Sequence, residues 1–213
     1  MKLFTIPVTP YQQNCSLLVC QQTNKAAVVD PGGELERIVA AAEQVEATVE
    51  KILVTHGHID HAGGVKELAD RLTILIEGPH REDAFWIDQL PTQAERTGIP
   101  AAHFTPDRWL EDGDVVEVGA LQFQVLHCPG HTPGHVVFYQ PERRFAVVGD
   151  VLFNGSIGRT DFPRGDHASL VRAIREKLFP LGDDVQFLPG HGPMSTFGQE
   201  RLHNPFVSDA AAG

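Results

Sequence analysis

The sequence predicts a layered α/β fold in a single domain, residues 1–213, and three observations predict it. Short apolar runs alternate with amphipathic helical patterns. Twenty glycines and fifteen prolines punctuate those runs with tight turns. Several runs end at a histidine or aspartate beside a glycine, as strands do where loops converge on a site.

Residues 3–8, 16–20 and 26–29 read as strands, the third ending at Asp30-Pro31-Gly32-Gly33. Behind the glycines, residues 34–45 place Leu35, Ile38, Val39 and Ala42 at helical spacing. Residues 51–54 read as a buried strand that runs directly into a histidine-rich segment. A short helix is expected at 64–72 and another strand at 73–76. The looser stretch 78–105 has a partly helical centre at 82–90. After Trp109 the pattern turns to β, with strands at 115–118, 121–126, 136–139 and 145–148. An amphipathic helix follows at 168–178, and 185–188 is the last clear strand, before Pro189-Gly190-His191.

Charge and composition narrow the partners. A formal net charge of −11 with no Lys/Arg-rich run argues against a surface that tracks nucleic-acid phosphates. No basic amphipathic segment suits anionic lipid, and no apolar stretch approaches the ~18 residues of a membrane span. The amino terminus has a short apolar run broken by Pro7 and Pro10, unlike a signal-peptide core. Cys15, Cys20 and Cys128 are odd in number and unpatterned, which predicts no disulfide framework. The expectation is a reduced, cytoplasmic protein with a small-molecule substrate and no nucleic-acid or membrane partner. Oligomeric state stays open.

The chain has 11 His, and their grouping matters more than their number. His56-Gly57-His58-Ile59-Asp60-His61 concentrates ligand-type side chains in one segment. Alternate residues of an extended loop face the same way, so His56 and His58 are expected to share one metal, with Asp60 and His61 turned toward a second. Imidazole and carboxylate without thiolate suit Zn2+, Fe or Mn. Three glycine-rich turns add His131 in Pro129-Gly130-His131-Thr132-Pro133-Gly134-His135, Asp150 in Gly149-Asp150, and His191 in Pro189-Gly190-His191-Gly192-Pro193. Together these residues supply a full dinuclear set.

In this order the motifs resemble those of the metallo-β-lactamase superfamily, and most closely its short bacterial glyoxalase II-like hydroxyacylglutathione hydrolases. The resemblance runs from about Asn14 to Phe206 and includes Gly-Arg-x-Asp-Phe-Pro-Arg-Gly-Asp from Gly158 and Glu-Arg-x-x-Asn-Pro-Phe from Glu200. It implies a four-layer αβ/βα sandwich with two metals at the sheet edges. His56, His58 and His131 would hold one, Asp60, His61 and His191 the other, and Asp150 would bridge them. The implied activity is thioester hydrolysis, with S-lactoylglutathione as the expected substrate and a metal-bridging hydroxide as nucleophile. Zinc is the first expectation for the two divalent ions, and Asp60 and Asp150 are the catalytic carboxylates.

The charge balance suits that chemistry. Two divalent cations, two carboxylates and a hydroxide leave one net positive charge, and metal binding lowers the water pKa from 15.7 to about 7. A thiolate leaves readily, since its thiol has a pKa of ~8.5.

Around this centre, Asp30 is read either as orienting a ligand imidazole or as a turn aspartate. Cys128 and His135 are read as packed structural residues, and His80, His103, His127, His167 and His203 receive no role. Arg159 stands where the family's basic residue holds a glutathione carboxylate, the alternative being an ion pair with Asp161 or Asp166. Two positions depart from the full-length glyoxalase II pattern. Asp161 replaces a substrate-contacting aromatic residue, and Ser208 follows Asn204-Pro205-Phe206-Val207 where a basic extension would begin. The stretch from Gly158 to Phe162 also resembles the persulfide dioxygenases of the superfamily, which would place a single iron on His56, His131 and Asp150. The complete second-metal set favours the hydrolase. Asp150 also stands where lactamases of this fold commonly carry cysteine or serine, and a nuclease would need a basic surface.

Overall fold

In the computed structural model, which describes residues 1–212, the strands gather into two main sheets. The first contains β1 (Lys2–Val8), β2 (Gln13–Val19), β3 (Lys25–Val29), β4 (Thr48–Leu53) and β5 (Leu75–Glu77), in that spatial order. Pairing is antiparallel as far as β3 and parallel beyond it. Parallel neighbours need crossovers, which α1 (Leu35–Gln44) supplies between β3 and β4, and α2 (Ile59–Ala62) with α3 (Val65–Leu72) between β4 and β5.

Two short helices, α4 (Ala84–Ile87) and α5 (Leu90–Thr97), precede the second sheet. There β6 (Val115–Val118), β7 (Leu121–His127), β8 (Val136–Gln140) and β9 (Phe145–Gly149) form an antiparallel meander. A small hairpin follows, made of β10 (Leu152–Phe153) and β11 (Ser156–Ile157). Then α6 (His167–Ala173), continued by a π-helical turn at Ile174–Leu178, returns the chain so that β12 (Gln186–Pro189) pairs parallel with β9. β13 (Ser195–Thr196) and α7 (Phe197–His203) complete the order.

Period-two alternation sorts the strand side chains into layers. From β3, Ala26 and Val28 join a core with Leu35 and Ile38 of α1 and Leu68 of α3, whereas Ala27 and Val29 join the core between the sheets. From β8 and β9, Phe138 and Val147 reach that same inter-sheet core. Their neighbours Val137, Ala146 and Val148 pack instead with Leu170, Ile174 and Leu178 on the helical side. The order is helix, sheet, sheet, helix. Strands buried on both faces read as continuous apolar runs, which is why 26–29 and 145–148 are so plain in the sequence.

Boundaries moved where polar residues carry the structure. β4 begins at Thr48 rather than Lys51. β5 begins at Leu75 because Thr73 closes α3 in the left-handed conformation, with φ 54. The helical centre expected at 82–90 extends farther, as α4 and then α5 to Thr97. α5 buries only Leu90, so it offers no apolar stripe to read. No helix among the described residues is long and apolar enough to cross a membrane, and the three cysteines are free and buried.

Candidate metal centre

Strand ends deliver the site. β4 stops at Leu53 and leads through Thr55 to His56, β9 leads directly to Asp150, and β12 leads through Gly190 to His191. His131 lies in the β7–β8 connection. The segment 56–61 departs from the expected extended loop. His58 is extended, with φ −71 and ψ 149, and α2 starts at Ile59, so Asp60 and His61 project from a first helical turn. The change from strand to helix, rather than simple alternation, separates the two ligand pairs.

Glycine is required at two of these turns. Gly149 has φ 50, and a Cβ there would stand 2.7 Å from the His135 ring and from Thr55 Oγ1. At Gly190 a Cβ would come within 2.1 Å of Asp150 Oδ1.

The structure brings together all seven residues expected from the sequence to hold metal. His56 Nε2 and His131 Nε2 lie 3.2 and 2.9 Å from His58 Nδ1, so three ring nitrogens converge. A second trio forms around His191 Nε2, 3.1 Å from Asp60 Oδ2, with His61 Nε2 3.8 Å from that same oxygen. Asp150 stands between the trios. Its Oδ1 is 3.3 Å from His61 Nε2, while its Oδ2 is 3.5 Å from His131 Nε2 and 3.6 Å from His191 Nε2.

Outward hydrogen bonds turn most of these rings. His131 Nδ1 lies 2.8 Å from the Arg159 carbonyl oxygen, and His191 Nδ1 lies 3.1 Å from that of Tyr11. A carbonyl oxygen only accepts, so each Nδ1 donates and each Nε2 faces the cavity, where it offers a lone pair once the ring is neutral. Asp30 acts on two histidines. Its Oδ2 accepts from His61 Nδ1 at 2.9 Å and from the Thr55 hydroxyl at 2.6 Å, and Thr55 Oγ1 in turn lies 3.0 Å from His56 Nδ1. The grouping of Asp30 with His56 and His61 is therefore an orienting relay. His135 is structural, as expected, and its Nε2 accepts the Asp150 backbone N–H at 3.0 Å.

Electrostatics divides the trios. Burial pushes the His58 pKa down to about 3, and burial together with neighbouring imidazoles holds His56 well below the usual value. Burial would also lower His61, but the Asp150 and Asp60 carboxylates outweigh it and raise that pKa well above the usual imidazole range. His191 is raised against the same burial effect by its hydrogen bond to Asp60 and by Asp150. For Asp60 and Asp150 burial acts upward, yet His61 keeps both below the ordinary carboxylate range.

The residues present fit divalent ions. His61 Nε2 and Asp150 Oδ1 face each other while buried, and neither makes a hydrogen bond. Orphaned buried polar atoms are costly, and a cation between the trios would satisfy both.

Sequence reasoning missed several parts of the site. Buried Asp83 accepts from Gly57 N at 2.8 Å, Thr132 Oγ1 at 2.8 Å and Gly134 N at 2.5 Å, tying the His56–His58 loop to the His131 loop. Trp86 and Phe162 set ring edges against His58, with centroids at 4.4 and 5.0 Å. These rings, with Tyr11 and Phe153, line a cavity of about 840 Å3 that opens onto both trios. Arg159 also lines it, but its guanidinium is held by Asp161 at 2.9 and 2.7 Å and lies 4.5 Å over the Phe162 ring. No apolar periodicity marks Asp83 or Thr55, so nothing local in the sequence reveals them.

Residues 8–191 match the model of the metallo-β-lactamase superfamily. Hydroxyacylglutathione hydrolase GloC of Haemophilus influenzae is 46% identical over 98% of this chain and 99% of its own length. The crystal structure of the B3 metallo-β-lactamase BLEG-1 superposes with a TM-score of 0.88 at 36% identity, covering 97% of this chain and 99% of that one. TTHA1623, solved in a di-iron-bound form, gives a TM-score of 0.87 at 36% identity, covering 96% of this chain and 100% of the other. On its fold, its clustered histidines and aspartates, and these matches, the chain belongs to the metallo-β-lactamase superfamily.

Proposed function

We propose that this metallo-hydrolase is a single-domain thioester hydrolase acting on hydroxyacyl thioesters of glutathione, with S-lactoylglutathione the expected substrate. The observation that carries the reading is Asp150, whose Oδ1 faces His61 at 3.3 Å while its Oδ2 lies between the trios, 3.5 Å from His131 and 3.6 Å from His191. One shared carboxylate makes the two ligand sets a single centre. The name and 46% identity of the Haemophilus influenzae relative support the substrate class.

In this reading His56, His58 and His131 would hold one ion, Asp60, His61 and His191 would hold the other, and Asp150 would be common to both. Bound divalent ions, zinc or iron, supply Lewis acidity and a lowered water pKa. The protein's own groups do the rest. Asp30, the Arg159 carbonyl and the Tyr11 carbonyl fix ring orientations, so the donor atoms are in place before substrate arrives. Asp60 and Asp150, both held ionised, line the cavity, where each would accept a hydrogen bond from an attacking water. Trp86 and Phe162 wall the His58 side and exclude bulk water from the acyl group. Arg159 on the cavity wall is the candidate partner for a substrate carboxylate.

Free-thiol release from a panel of thioesters that includes S-lactoylglutathione, run beside an absorbance assay of ring opening in a chromogenic β-lactam, tests the reading. The proposal expects thiol release that stops on chelation and returns with metal. Release from no thioester contradicts it, as does oxygen uptake on a glutathione persulfide by protein carrying a single iron. A faster turnover of the β-lactam would move the activity toward that named for BLEG-1.

A further inference from the structure

Outside the central cavity, a second group of ligand-type side chains gathers at the surface, where β7 ends beside the turn before α4. One ring nitrogen of His80, one of His127 and a carboxylate oxygen of Glu82 lie within 4.8 Å of one another. The two imidazoles stack, with centroids 4.1 Å apart and planes inclined by 17°, so one ring has to turn about its Cβ–Cγ bond before both lone pairs point at a single ion.

Hydrogen bonds decide which nitrogens are free. His80 Nε2 lies 3.0 Å from Glu111 Oε2, and His127 Nε2 lies 2.8 Å from the Pro133 carbonyl oxygen. Both oxygens act as acceptors, so both Nε2 atoms carry protons and the neutral rings hold their lone pairs on Nδ1. Burial lowers the His127 pKa and favours that neutral form. The His80 lone pair meets only the Glu82 backbone N–H at 3.3 Å, a long bond that a cation would displace. Glu82 is exposed, and its carboxylate has no hydrogen-bond partner among the described residues.

Metal-bound histidines characteristically donate the outward N–H to a carboxylate or a backbone carbonyl. His80 and His127 show one of each. His131 and His191 use the same device in the central site, each donating to a backbone carbonyl.

We propose that His80, Glu82 and His127 form a surface site for one divalent transition-metal ion, additional to the central pair. Two imidazoles and a carboxylate favour Zn2+, Cu2+ or Ni2+ over the oxygen-seeking Ca2+ and Mg2+. Glu111 would lie behind His80, holding its tautomer and adding negative charge. Open coordination positions would be filled by water, since no further side chain among the described residues completes the set.

The test uses protein with its central pair already filled and free metal removed, titrated calorimetrically with Zn2+. The expected result is one further ion taken up per chain, lost in both Glu82→Gln and His127→Ala. Glu111→Ala, which removes the acceptor for His80 Nε2–H, should weaken that uptake about tenfold. Because Glu82 is exposed, its glutamine variant keeps the fold, and its melting temperature serves as the control. No further uptake by the wild type overturns the proposal, as does uptake unchanged in Glu82→Gln and His127→Ala. Equal uptake of Ca2+ overturns the transition-metal assignment. None of these outcomes depends on which substrate the central cavity takes.

Discussion

Asp30 Oδ2 lies 2.9 Å from His61 Nδ1, and this contact settles which nitrogen of His61 faces the cavity. The carboxylate only accepts, so the ring proton sits on Nδ1 and Nε2 is left to meet Asp60 and Asp150. Through the Thr55 hydroxyl the same carboxylate also reaches His56. One buried aspartate at the end of β3 therefore sets a ring in each trio.

Replacing that acceptor should weaken metal binding without removing a ligand. Asp30→Asn retains a residue that tolerates the positive φ of 53 found here. Its affinity for the second ion should fall by about tenfold or more, measured by competition with a chromophoric chelator. An unchanged affinity would make Asp30 a turn residue only.

Metal loading should depend on pH unequally at the two trios. His61 and His191 have raised pKa values in the metal-free protein, so a falling pH protonates the nitrogens that the second ion needs. His56, His58 and His131 are lowered and stay neutral over the same range. Acidification should thus empty the Asp60–His61–His191 trio first, and zinc content after dialysis across a pH series reads this directly. Simultaneous loss of both ions at every pH would contradict it.

Asp83 should matter to the first trio although it touches no ligand. Truncation in Asp83→Ala orphans the Gly57 and Gly134 amides, at a cost of about 1–3 kcal/mol for each buried donor. Chemical denaturation measures the loss. In the folded fraction, the ion held by His56, His58 and His131 should bind more weakly than its neighbour.

The Arg159–Asp161 pair competes with an anionic substrate. Asp161 occupies the guanidinium where a substrate carboxylate would bind, and both side chains are about two-thirds exposed, with relative accessibilities of 68% and 67%. Exposed pairs are weak, so Asp161→Ala should lower KM for an acyl-glutathione only about threefold, with kcat unchanged. A neutral thioester should show no change. A raised KM for the anionic substrate would mean that Asp161 itself assists binding.

Much of the fold, and the clustering of the candidate ligands, was legible because both rest on local pattern. Apolar runs such as 26–29 and 145–148 are strands buried on both faces, and Gly32 and Gly149 after them are fixed by close approaches that no side chain survives. His56, Asp150 and His191 follow strand ends directly or within a few residues, so pattern and site coincide. What escaped depends on distant contacts. Asp83 meets loops 26 and 51 residues away in sequence. α5 packs with a single buried leucine, and α2 begins inside the histidine motif, where ligand chemistry masks helical periodicity. Asp30 could be read either way from the sequence. Its distances to His61 and Thr55 are what assign it to orientation.

If Asp150 joins the two trios into one hydrolytic centre, bound-metal analysis of the wild type beside Asp150→Asn will show it. The wild type should carry close to two ions per chain, with metal occupancy and thioester turnover both lost in the variant. Equal metal content in the two proteins would contradict it.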